Sequence, residues 1–480
     1  MATDNKELRS LVLGVDVGGT FTDLVQLDQN SGAVRLAKVA STLDNQAFGV
    51  LEAIDKVECE LADVAMVIHG TTTTTNAVLE RKLSKTALIT TAGFRDSLEL
   101  GRRTRPQPYG MTGHFEPIIP RDLRFEISER MDAFGRTVTP IDEDAVTAVG
   151  QKLLSIGVES VVVHFLHSYV NPEHELRAAA LLEKFWPNPY ITVGHRLLLE
   201  SREFERGVTA AVNASVQPLL ERYLKKLSAE LQGRGYLGEL LIMNGNGGTV
   251  SANRVVGEAV KTVMSGPASG VIAAAYTGRF AKRPNLITYD MGGTSTDVAL
   301  IYDCQPSISN EIEIEYAMPI HVPMVDVRTI GAGGGSIARV NQAGLLEVGP
   351  ESAGANPGPI CYGLGGELPT ITDANALLGR LDIEQFHRGQ ENISLERIRE
   401  IFQLKIGDPL GVDAETAASA VLRMANTLMA GAIRMVSISL GADPRDFSLF
   451  AFGGAGPLHA SALATELGIP VQMQVGQSLI

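Results

Sequence analysis

The sequence contains 480 residues. A chain of this length is too long for a single hydrophobic core, so its length predicts about two to four domains. Its formal net charge of −14 excludes a nucleic-acid-binding role, since phosphate backbones require a basic face. The three cysteines are scattered, which excludes a disulfide framework and a CxxC metal site. We find no secretory signal and no apolar run near the roughly 18 residues that span a bilayer, and we expect a cytoplasmic protein without a membrane partner.

The first motif in chain order is DVGGTFTD at residues 16–23, and a near-copy, DMGGTSTD, occupies residues 290–297. Each copy follows an apolar run and consists of an aspartate, two glycines and hydroxyl residues before a second apolar run. This pattern predicts a tight β-hairpin, because glycine permits positive φ and close backbone approach. Backbone N–H groups and threonine hydroxyls at such a turn suit an anion, and the aspartate suits a hydrated Mg²⁺.

The rest of the first half alternates predicted strands and helices. Residues 64–70 form a buried strand, after which five threonines and Asn76 lead into a helix. The threonine run has two interpretations: a β-branched segment that ends in a helix cap, or hydroxyls at a helix N-terminus that face a cleft. Strands and helices alternate over residues 141–200, and a long helical pattern at 203–231 then leads out of this half.

Two further features of the first half have open interpretations. The basic segment 101–110 is either a solvated loop or a loop that faces an anion or substrate, because arginine suits carboxylate and phosphate. His164, His167 and His174 fit no standard zinc spacing, so we interpret them as structural histidines.

The second half contains three strands that end in glycine turns. They precede the turns at 292–293, 331–335 and 453–456, and the last turn opens a helix that contains His459. A small-residue helix is predicted at 271–276, a glycine- and proline-rich loop at 349–366 and a long alanine-rich helix at 413–437. His459 has two interpretations, a site residue or a residue on a helix face.

This set of glycine turns, without a Walker A or GxGxxG motif, resembles the actin/Hsp70/sugar-kinase superfamily. The resemblance implies an α/β, two-lobed actin-like (ribonuclease H-like) ATPase fold with duplicated mixed-sheet domains. It also implies that the triphosphate of ATP lies between the two hairpins and that adenosine lies near Gly453, Gly454 and Ala455.

The sequence is more closely similar to the hydantoinase A/5-oxoprolinase family, from about residue 10 to residue 470. The similarity rests on the first hairpin and on the segments HGTT at 69–72, GFRD at 93–96, SGP at 265–267, GAGGGS at 331–336, VGPESAG at 348–354 and FGGAGP at 452–457. It implies an N-terminal family lobe at 1–200 and a hydantoinase A-type lobe at 201–480. Family members continue beyond the point that matches residue 480, so their C-terminal region is expected to be absent here.

The resemblance implies chemistry and partners as well. Family members include ATP-dependent hydantoin, 5-oxoproline and caprolactam hydrolases and nucleotide-binding subunits of acetone and acetophenone carboxylases, which usually work with a hydantoinase B-like subunit. We therefore expect a hetero-oligomeric, Mg²⁺- and ATP-dependent hydrolase subunit that opens a cyclic amide by phosphorylating its carbonyl oxygen. The alternatives are a ketone-carboxylase subunit, whose substrate is a ketone, and a non-catalytic actin-like nucleotide switch or reactivating factor.

The expected site residues follow from the motifs and the resemblance together. Asp16 and Asp290 are expected to hold Mg²⁺ and to act in catalysis. Predicted substrate contacts are His69, Thr72, Asn76 and Arg102. The predicted ATP-contacting residues are Gly18, Gly19, Thr20, Thr22, Gly292, Gly293, Thr294, Gly331, Gly333, Gly334, Gly453 and Gly454.

Overall fold

The computed structural model describes residues 9–18, 21–40, 46–102, 115–315, 318–386 and 394–474. The chain forms two compact units: the first extends to Ser269 and includes Ile308–Met324, and the second consists of Gly270–Ser307 and the residues from Val325 onward. The division predicted at residue 200 lies inside the first unit. The helix Glu203–Gly233 explains this difference, because most of its first half is buried in the core of that unit.

The first unit is built around a six-stranded mixed sheet. Its first three strands form an antiparallel meander, and the fourth and fifth strands add in parallel on the other side of the first. In spatial order the strands are Val34–Ala40, Phe21–Asp28, Leu11–Val17, Val64–Thr71, Glu239–Met243 and the antiparallel edge strand Thr249–Ser251.

One face of this sheet packs against helices, because apolar residues occur at alternate positions along its strands. Leu13, Val15 and Leu24 point to the same side and are buried, together with apolar residues of the helices Gln46–Lys56 and Glu203–Gly233. Alternate strand residues point to opposite faces, so the burial of this set leaves the intervening residues on the other face.

A second, four-stranded parallel sheet completes the first unit. Its spatial order is Ile191–Val193, Ser160–His164, Thr86–Thr91 and Arg124–Ile127. The connecting helices include Glu143–Ser155, whose N-cap Asp142 accepts a hydrogen bond from the Ala145 N–H, and Glu173–Leu182. The helix–strand alternation predicted for residues 141–200 is confirmed.

The second unit repeats the strand order of the first. In spatial order its main strands are Val327–Ile330, Thr296–Tyr302, Leu286–Met291, Ser448–Phe452 and Val471–Gln474, with Gln305–Pro306 beside Thr296–Tyr302. Again three antiparallel strands are followed by two parallel ones. The predicted α/β, ribonuclease H-like fold with duplicated mixed sheets is therefore confirmed.

The core of the second unit lies between this sheet and helices. The helices Ile371–Leu377, Ala414–Ser439 and Gly456–Leu467 contribute most of their buried apolar residues to it. The loop predicted at 349–366 begins as strand, because Leu346–Ser352 pairs with Ser336–Val340.

The helix Ala414–Ser439 is long and apolar enough to cross a membrane, by length and composition alone, which the sequence reasoning did not anticipate. Half of its most apolar window is buried inside the protein, as in the core helix of a globular domain. Other elements are the helices Thr73–Leu79, Ser97–Leu100, Gly194–Leu197, Ala252–Val255, Ser265–Phe280, Ile383–Phe386, Leu395–Phe402 and Asp408–Leu410, and the strand pairs Arg130–Met131 with Thr137–Thr139 and Ile312–Glu315 with Met318–Ile320.

Candidate functional site

The first predicted hairpin places two carboxylates directly opposite each other. Asp16 is the second-last residue of one strand and pairs with Asp23 on the next. The turn between the strands is closed by the Gly18 N–H, which donates to Phe21 O at 3.0 Å. Lys38 on the third strand lies opposite Asp23 and contacts both of its carboxylate oxygens at 3.2 Å. Like charges at directly paired positions are unfavourable, so this arrangement is suited to a bound cation.

The electrostatics of Asp16 reflect this pairing. Its side chain is exposed to solvent, yet desolvation by surrounding protein raises its pKa to about 6. The neighbouring Asp23 raises this pKa further, and Lys38 opposes the effect. The raised pKa means that this environment disfavours the ionised form of Asp16, which a bound cation would stabilise.

Four residues of this hairpin are predicted to contact phosphate. Gly18 is half-buried and Thr22 is fully buried. The predictions for Gly19 and Thr20 concern residues that lie outside those the structure describes.

The second hairpin has the same register. Asp290 pairs with Asp297, and the Gly292 N–H donates to Ser295 O at 3.0 Å. In place of a lysine, the third strand supplies Thr329, whose hydroxyl donates to Asp297 Oδ1 at 2.6 Å. Burial raises the pKa of Asp297. The tip of this hairpin is exposed to solvent at Gly292, Gly293 and Thr294.

Each aspartate lies against a glycine. Gly70 is in the fourth strand of the first unit, and Gly453 follows directly after the fourth strand of the second unit. A Cβ at Gly70 would lie 3.1 Å from Asp16 Oδ1, and a Cβ at Gly453 would overlap Asp290 Oδ1 and lie 2.8 Å from Met291 O. Gly453 also has a φ of +79°, a backbone angle that residues other than glycine rarely adopt. Both units therefore keep space for the carboxylate with a glycine, although the two glycines differ in register. Gly70 pairs with Asp16, whereas Gly453 follows Phe452, the residue that pairs with Asp290. The role of Gly70 was not predicted.

The glycine turn at 331–336 supports the second hairpin. The Gly334 N–H donates to Gly292 O at 2.9 Å, and the Gly333 N–H donates to Ser336 Oγ at 2.9 Å. A Cβ at Gly333 would lie 2.5 Å from Ser295 N, so the two turns pack backbone against backbone. Gly333 and Gly334 are buried, and these N–H groups, predicted to contact ATP, already have acceptors within the protein.

Thr372 extends this support and was not predicted from sequence. Both its N–H and its hydroxyl donate to Gly334 O at 2.8 Å. Gly331, at the start of the turn, is exposed. A threonine at the start of a helix is too common a signal to identify such a contact.

The C-terminal glycine turn also joins the second hairpin. Gly453 and Gly454 are exposed, and the Ala455 N–H donates to Met291 O at 3.0 Å, just before the helix Gly456–Leu467. The turn therefore presents two glycines and a helix N-terminus beside the Asp290 strand.

His459 belongs to the core of the second unit. It is 0% exposed, its Nδ1 lies 2.7 Å from Asn426 Oδ1, and its Nε2 lies 3.3 Å from Asn375 Nδ2. Desolvation lowers its pKa to about 4, so the ring is neutral at neutral pH. The structure supports the second interpretation of His459, that it is a residue on a helix face and not a site residue.

The predicted substrate residues of the first unit have different environments. His69 is fully buried, its Nε2 lies 2.7 Å from Tyr223 Oη, and desolvation lowers its pKa to about 4. Thr72 donates to Val17 O at 3.1 Å and accepts from Asn76 Nδ2 at 3.3 Å. Thr72 and Asn76 therefore lie beside the first hairpin and are partly exposed, because Thr72 bonds to the strand that leads into it. His69 lies in the core.

Arg102 is held in an ion-pair cluster. Its guanidinium contacts Glu205 at 2.8 Å and both oxygens of Glu311 at 2.5 and 2.9 Å. His321 lies between Glu311 and Glu200, at 3.0 and 2.8 Å. Hydrogen bonding to Arg102 lowers the pKa of Glu311. Within the described part of the chain, the ion pairs of Arg102 all lie in this cluster and not at the hairpin.

Two of the three histidines that we interpreted as structural, His164 and His174, have hydrogen-bond partners within the protein. His174 Nδ1 lies 2.7 Å from the buried Glu129, and His164 Nε2 lies 3.0 Å from Glu203 O. Among the residues that the structure describes, no group of three or more His, Cys, Asp or Glu side chains is arranged to hold a metal ion. A magnesium site of one or two carboxylates completed by water and phosphate does not require such a group.

The two units share a strand order and a hairpin motif, and comparison with known proteins identifies the family. The hydantoinase/oxoprolinase family model matches residues 206–475, and the model of the family's N-terminal region matches residues 12–186. The chain belongs to the hydantoinase/oxoprolinase family, and the predicted resemblance is confirmed. The division predicted at residue 200 falls between the two matched regions.

Two relatives illustrate the range of the family. The chain is 37% identical to caprolactamase subunit alpha of Pseudomonas jessenii, with 96% of this chain and 67% of that protein covered. It is 32% identical to the acetophenone carboxylase gamma subunit of Aromatoleum aromaticum, with 98% and 68% covered.

Two solved structures share the fold closely. The ATP-dependent caprolactamase of Pseudomonas jessenii matches with a TM-score of 0.81 at 35% identity, and nucleotide-free acetone carboxylase matches with 0.81 at 30%. Each match covers 96% of this chain and 68% of the other chain. Both solved proteins are described as ATP-dependent, and this chain is of the same ATP-dependent enzyme family.

Proposed function

We propose that this chain is the nucleotide-binding subunit of a hydrolase that uses ATP to open a cyclic amide. The observation that carries the proposal is the duplicated Asp-Gly-Gly-Thr hairpin, each with a glycine that makes room for the aspartate carboxylate. The choice of a cyclic amide rests on the 37% identity to a caprolactamase subunit, compared with 32% to the acetophenone carboxylase subunit.

The chemistry explains why ATP is needed. An unstrained amide resists water because resonance stabilises it, and phosphorylation of its oxygen creates a leaving group. Catalysis of phosphoryl transfer depends on positioning and charge neutralisation rather than on covalent chemistry by the protein. A hairpin tip with backbone N–H groups and a threonine hydroxyl can supply the positioning.

The residues proposed to act are those that the structure leaves accessible. In each unit the hairpin aspartate, Asp16 or Asp290, would hold a hydrated Mg²⁺, which would supply positive charge to phosphate. Gly293 and Thr294 are exposed and would contact phosphate, and Gly453 and Gly454 would line the nucleotide site. Gly292 would shape the turn, because its N–H already donates to Ser295 O. Thr72 and Asn76 would contact the substrate. Gly333, Gly334 and Thr372 would act indirectly, because they hold the second hairpin in place.

A partner subunit is part of the proposal. The two relatives are named as subunits of larger enzymes, and we propose a hydantoinase B-like protein as the partner. Hydrolysis of the activated amide would then require both chains.

The test is ATP hydrolysis by the purified chain with its partner, with caprolactam, 5-oxoproline and hydantoins as substrates. We expect a cyclic amide to stimulate turnover, and we expect Asp290→Asn to abolish the stimulated rate while protein folding, followed by circular dichroism, is retained. Unchanged turnover in Asp290→Asn would show that the site is placed wrongly.

A ketone carboxylase subunit is the second candidate. Acetone carboxylase matches this fold with the same TM-score as caprolactamase. ATP turnover that depends on bicarbonate and a ketone, and not on any cyclic amide, would select it. ATP binding without turnover on any substrate would instead indicate a nucleotide switch.

A further inference from the structure

A short helix in the core of the second unit is fixed at its start. All seven residues of the helix Ile371–Leu377 are buried. It begins with a capping box, in which Thr370 Oγ1 accepts from the Asp373 N–H and the Asp373 carboxylate accepts from the Thr370 N–H. The same carboxylate accepts from the Ile360 and Cys361 N–H groups at 3.2 and 2.8 Å. Hydrogen bonds at its first turn therefore set the position of this helix.

One side chain of this helix supports the second hairpin. Thr372 donates through both its N–H and its hydroxyl to Gly334 O, and the Gly334 N–H donates in turn to Gly292 O at 2.9 Å. A Cβ at Gly334 would lie 2.7 Å from Thr372 Oγ1, so a larger residue would separate the helix from the turn. The helix is thus linked to the hairpin through a single glycine.

Another side chain of the same helix contacts the helix that follows the C-terminal glycine turn. Asn375 Nδ2 lies 3.3 Å from His459 Nε2, and His459 Nδ1 lies 2.7 Å from Asn426 Oδ1. His459 is in the first turn of the helix Gly456–Leu467. The buried side chains of Asn375, His459 and Asn426 therefore join three helices directly below this glycine turn.

The two contacts come from one face of the helix Ile371–Leu377. Thr372 and Asn375 are three residues apart, and residues at this spacing lie on the same face of an α-helix. The two parts that they hold are neighbours, since a Cβ at Gly334 would lie 3.8 Å from Ala455 Cβ. One rigid element thus contacts both the support of the second hairpin and the helix that begins at the C-terminal glycine turn.

The polar side chains of this contact are unfavourable to bury. Asn375, Asn426 and His459 are 1%, 8% and 0% exposed. Asn375 Nδ2 donates to the His459 ring and to Ile371 O, while its Oδ1 is buried and has no hydrogen-bond partner in the described part of the chain. A buried polar atom without a partner lowers stability, so apolar side chains would serve a purely structural contact better.

We propose that Asn375 and His459 are positioning residues for ATP, which set the spacing between the second hairpin and the glycine turn at 453–456 without contacting the nucleotide. The inference rests on the proposed function, in which Gly293 and Thr294 contact phosphate and the glycine turn lines the nucleotide site. A ligand that bridges two elements gains from both contacts only when their spacing matches its length. ATP binding should therefore depend on Asn375 more than the binding of a ligand that contacts one element alone.

The test compares three ligands of the full chain in the presence of Mg²⁺: ATP, tripolyphosphate and adenosine. Dissociation constants are measured by calorimetric titration, with competition against ATP for the weaker ligands. We expect Asn375→Ala to raise the Kd of ATP by about tenfold and to leave the Kd values of tripolyphosphate and adenosine unchanged, because each of these contacts only one of the two elements. In the coupled assay the KM for ATP should rise more than kcat falls.

The matched control is Asn213→Ala in the core of the first unit. Asn213 is also 1% exposed, and its side chain also donates within the core, to Thr192 Oγ1 and to Gly257 O. We expect both variants to lower Tm but only Asn375→Ala to weaken ATP binding. Equal weakening of ATP binding by the two variants, or equal weakening of all three ligands by Asn375→Ala, would overturn the proposal, since Asn375 would then act through stability alone.

A double variant keeps the proposal testable if Asn375→Ala does not fold. Asn375→Leu with His459→Leu replaces the polar pair by apolar side chains, so we expect a Tm above that of Asn375→Ala and ATP binding that remains about tenfold weaker than in the unsubstituted chain. ATP affinity equal to that of the unsubstituted chain would contradict a positioning role. If the unsubstituted chain fails to bind ATP, the proposed function is refuted and this inference with it, whereas ATP binding without stimulation by any cyclic amide refutes the hydrolase function alone.

Discussion

The substitution Gly453→Ala tests whether the glycine beside Asp290 is needed for the carboxylate. A Cβ at this position would overlap Asp290 Oδ1 and lie 2.8 Å from Met291 O, and the backbone has a φ of +79°. The positive φ costs alanine about 1–2 kcal/mol, and overpacking against neighbours costs about 1–3 kcal/mol more. We therefore expect a loss of about 3 kcal/mol of unfolding free energy, or roughly 6–12 °C in Tm.

The effect on turnover should exceed the effect on stability. Displacement of a positioned group by about 1 Å can reduce a rate by about 100-fold, so we expect ATP turnover to fall by about that factor at a temperature where the variant remains folded. The assay combines thermal unfolding with Mg²⁺-dependent ATP hydrolysis in the presence of the partner subunit and substrate.

The matched control is Gly344→Ala. Gly344 has a similar φ of +77° but nothing within 4 Å of its built Cβ, so it isolates the backbone cost. We expect it to lose about 1–2 kcal/mol and to retain turnover. If Gly453→Ala behaves like Gly344→Ala in both assays, the argument that this glycine makes room for the Asp290 carboxylate is refuted.

Two further predictions concern buried charge in the folded protein. Desolvation lowers the pKa of His69, His164 and His459 from 6.5 to about 4, so only the unfolded chain binds their protons between these pH values and stability must fall as pH falls through this window. The expected loss is about 2 kcal/mol per histidine near pH 5, seen as a lower urea midpoint than near pH 7.5 and partly relieved by His459→Gln; an unchanged midpoint would contradict the burial argument. Arg102→Ala should cost about 2 kcal/mol, because it leaves a buried carboxylate without its main partner, whereas Arg339→Ala, which removes exposed ion pairs, should cost less than about 1 kcal/mol. Equal shifts in Tm for the two arginine variants would show that the Arg102 cluster contributes no more than a surface ion pair.

The features that sequence predicted well are local. The two hairpins, the alternation over residues 141–200 and the helix Ala414–Ser439, whose N-cap Asp413 accepts from the Thr416 N–H, all depend on patterns within a few residues. Glycines, caps and apolar periodicity specify such elements without reference to the rest of the chain.

The site residues that were predicted less well depend on distant partners. Arg102 pairs with Glu311, more than 200 positions away, and its sequence neighbourhood suggested a substrate loop. The glycines at 333 and 334 were assigned to ATP because they resemble a phosphate turn, but their N–H groups donate within the protein. A glycine turn that holds another turn has the same local sequence as one that holds an anion.

By itself, the sequence determined the family, the duplicated strand–turn motif and the two aspartates that lead it, because each is encoded in a short run of residues. Only the tertiary structure decided which N–H groups remain for a ligand, that His69 and His459 lie in cores, and that Gly70 and Gly453 make room for Asp16 and Asp290. The physical reason is that burial and hydrogen-bond partners are set by packing between segments far apart in the chain, which local patterns do not record.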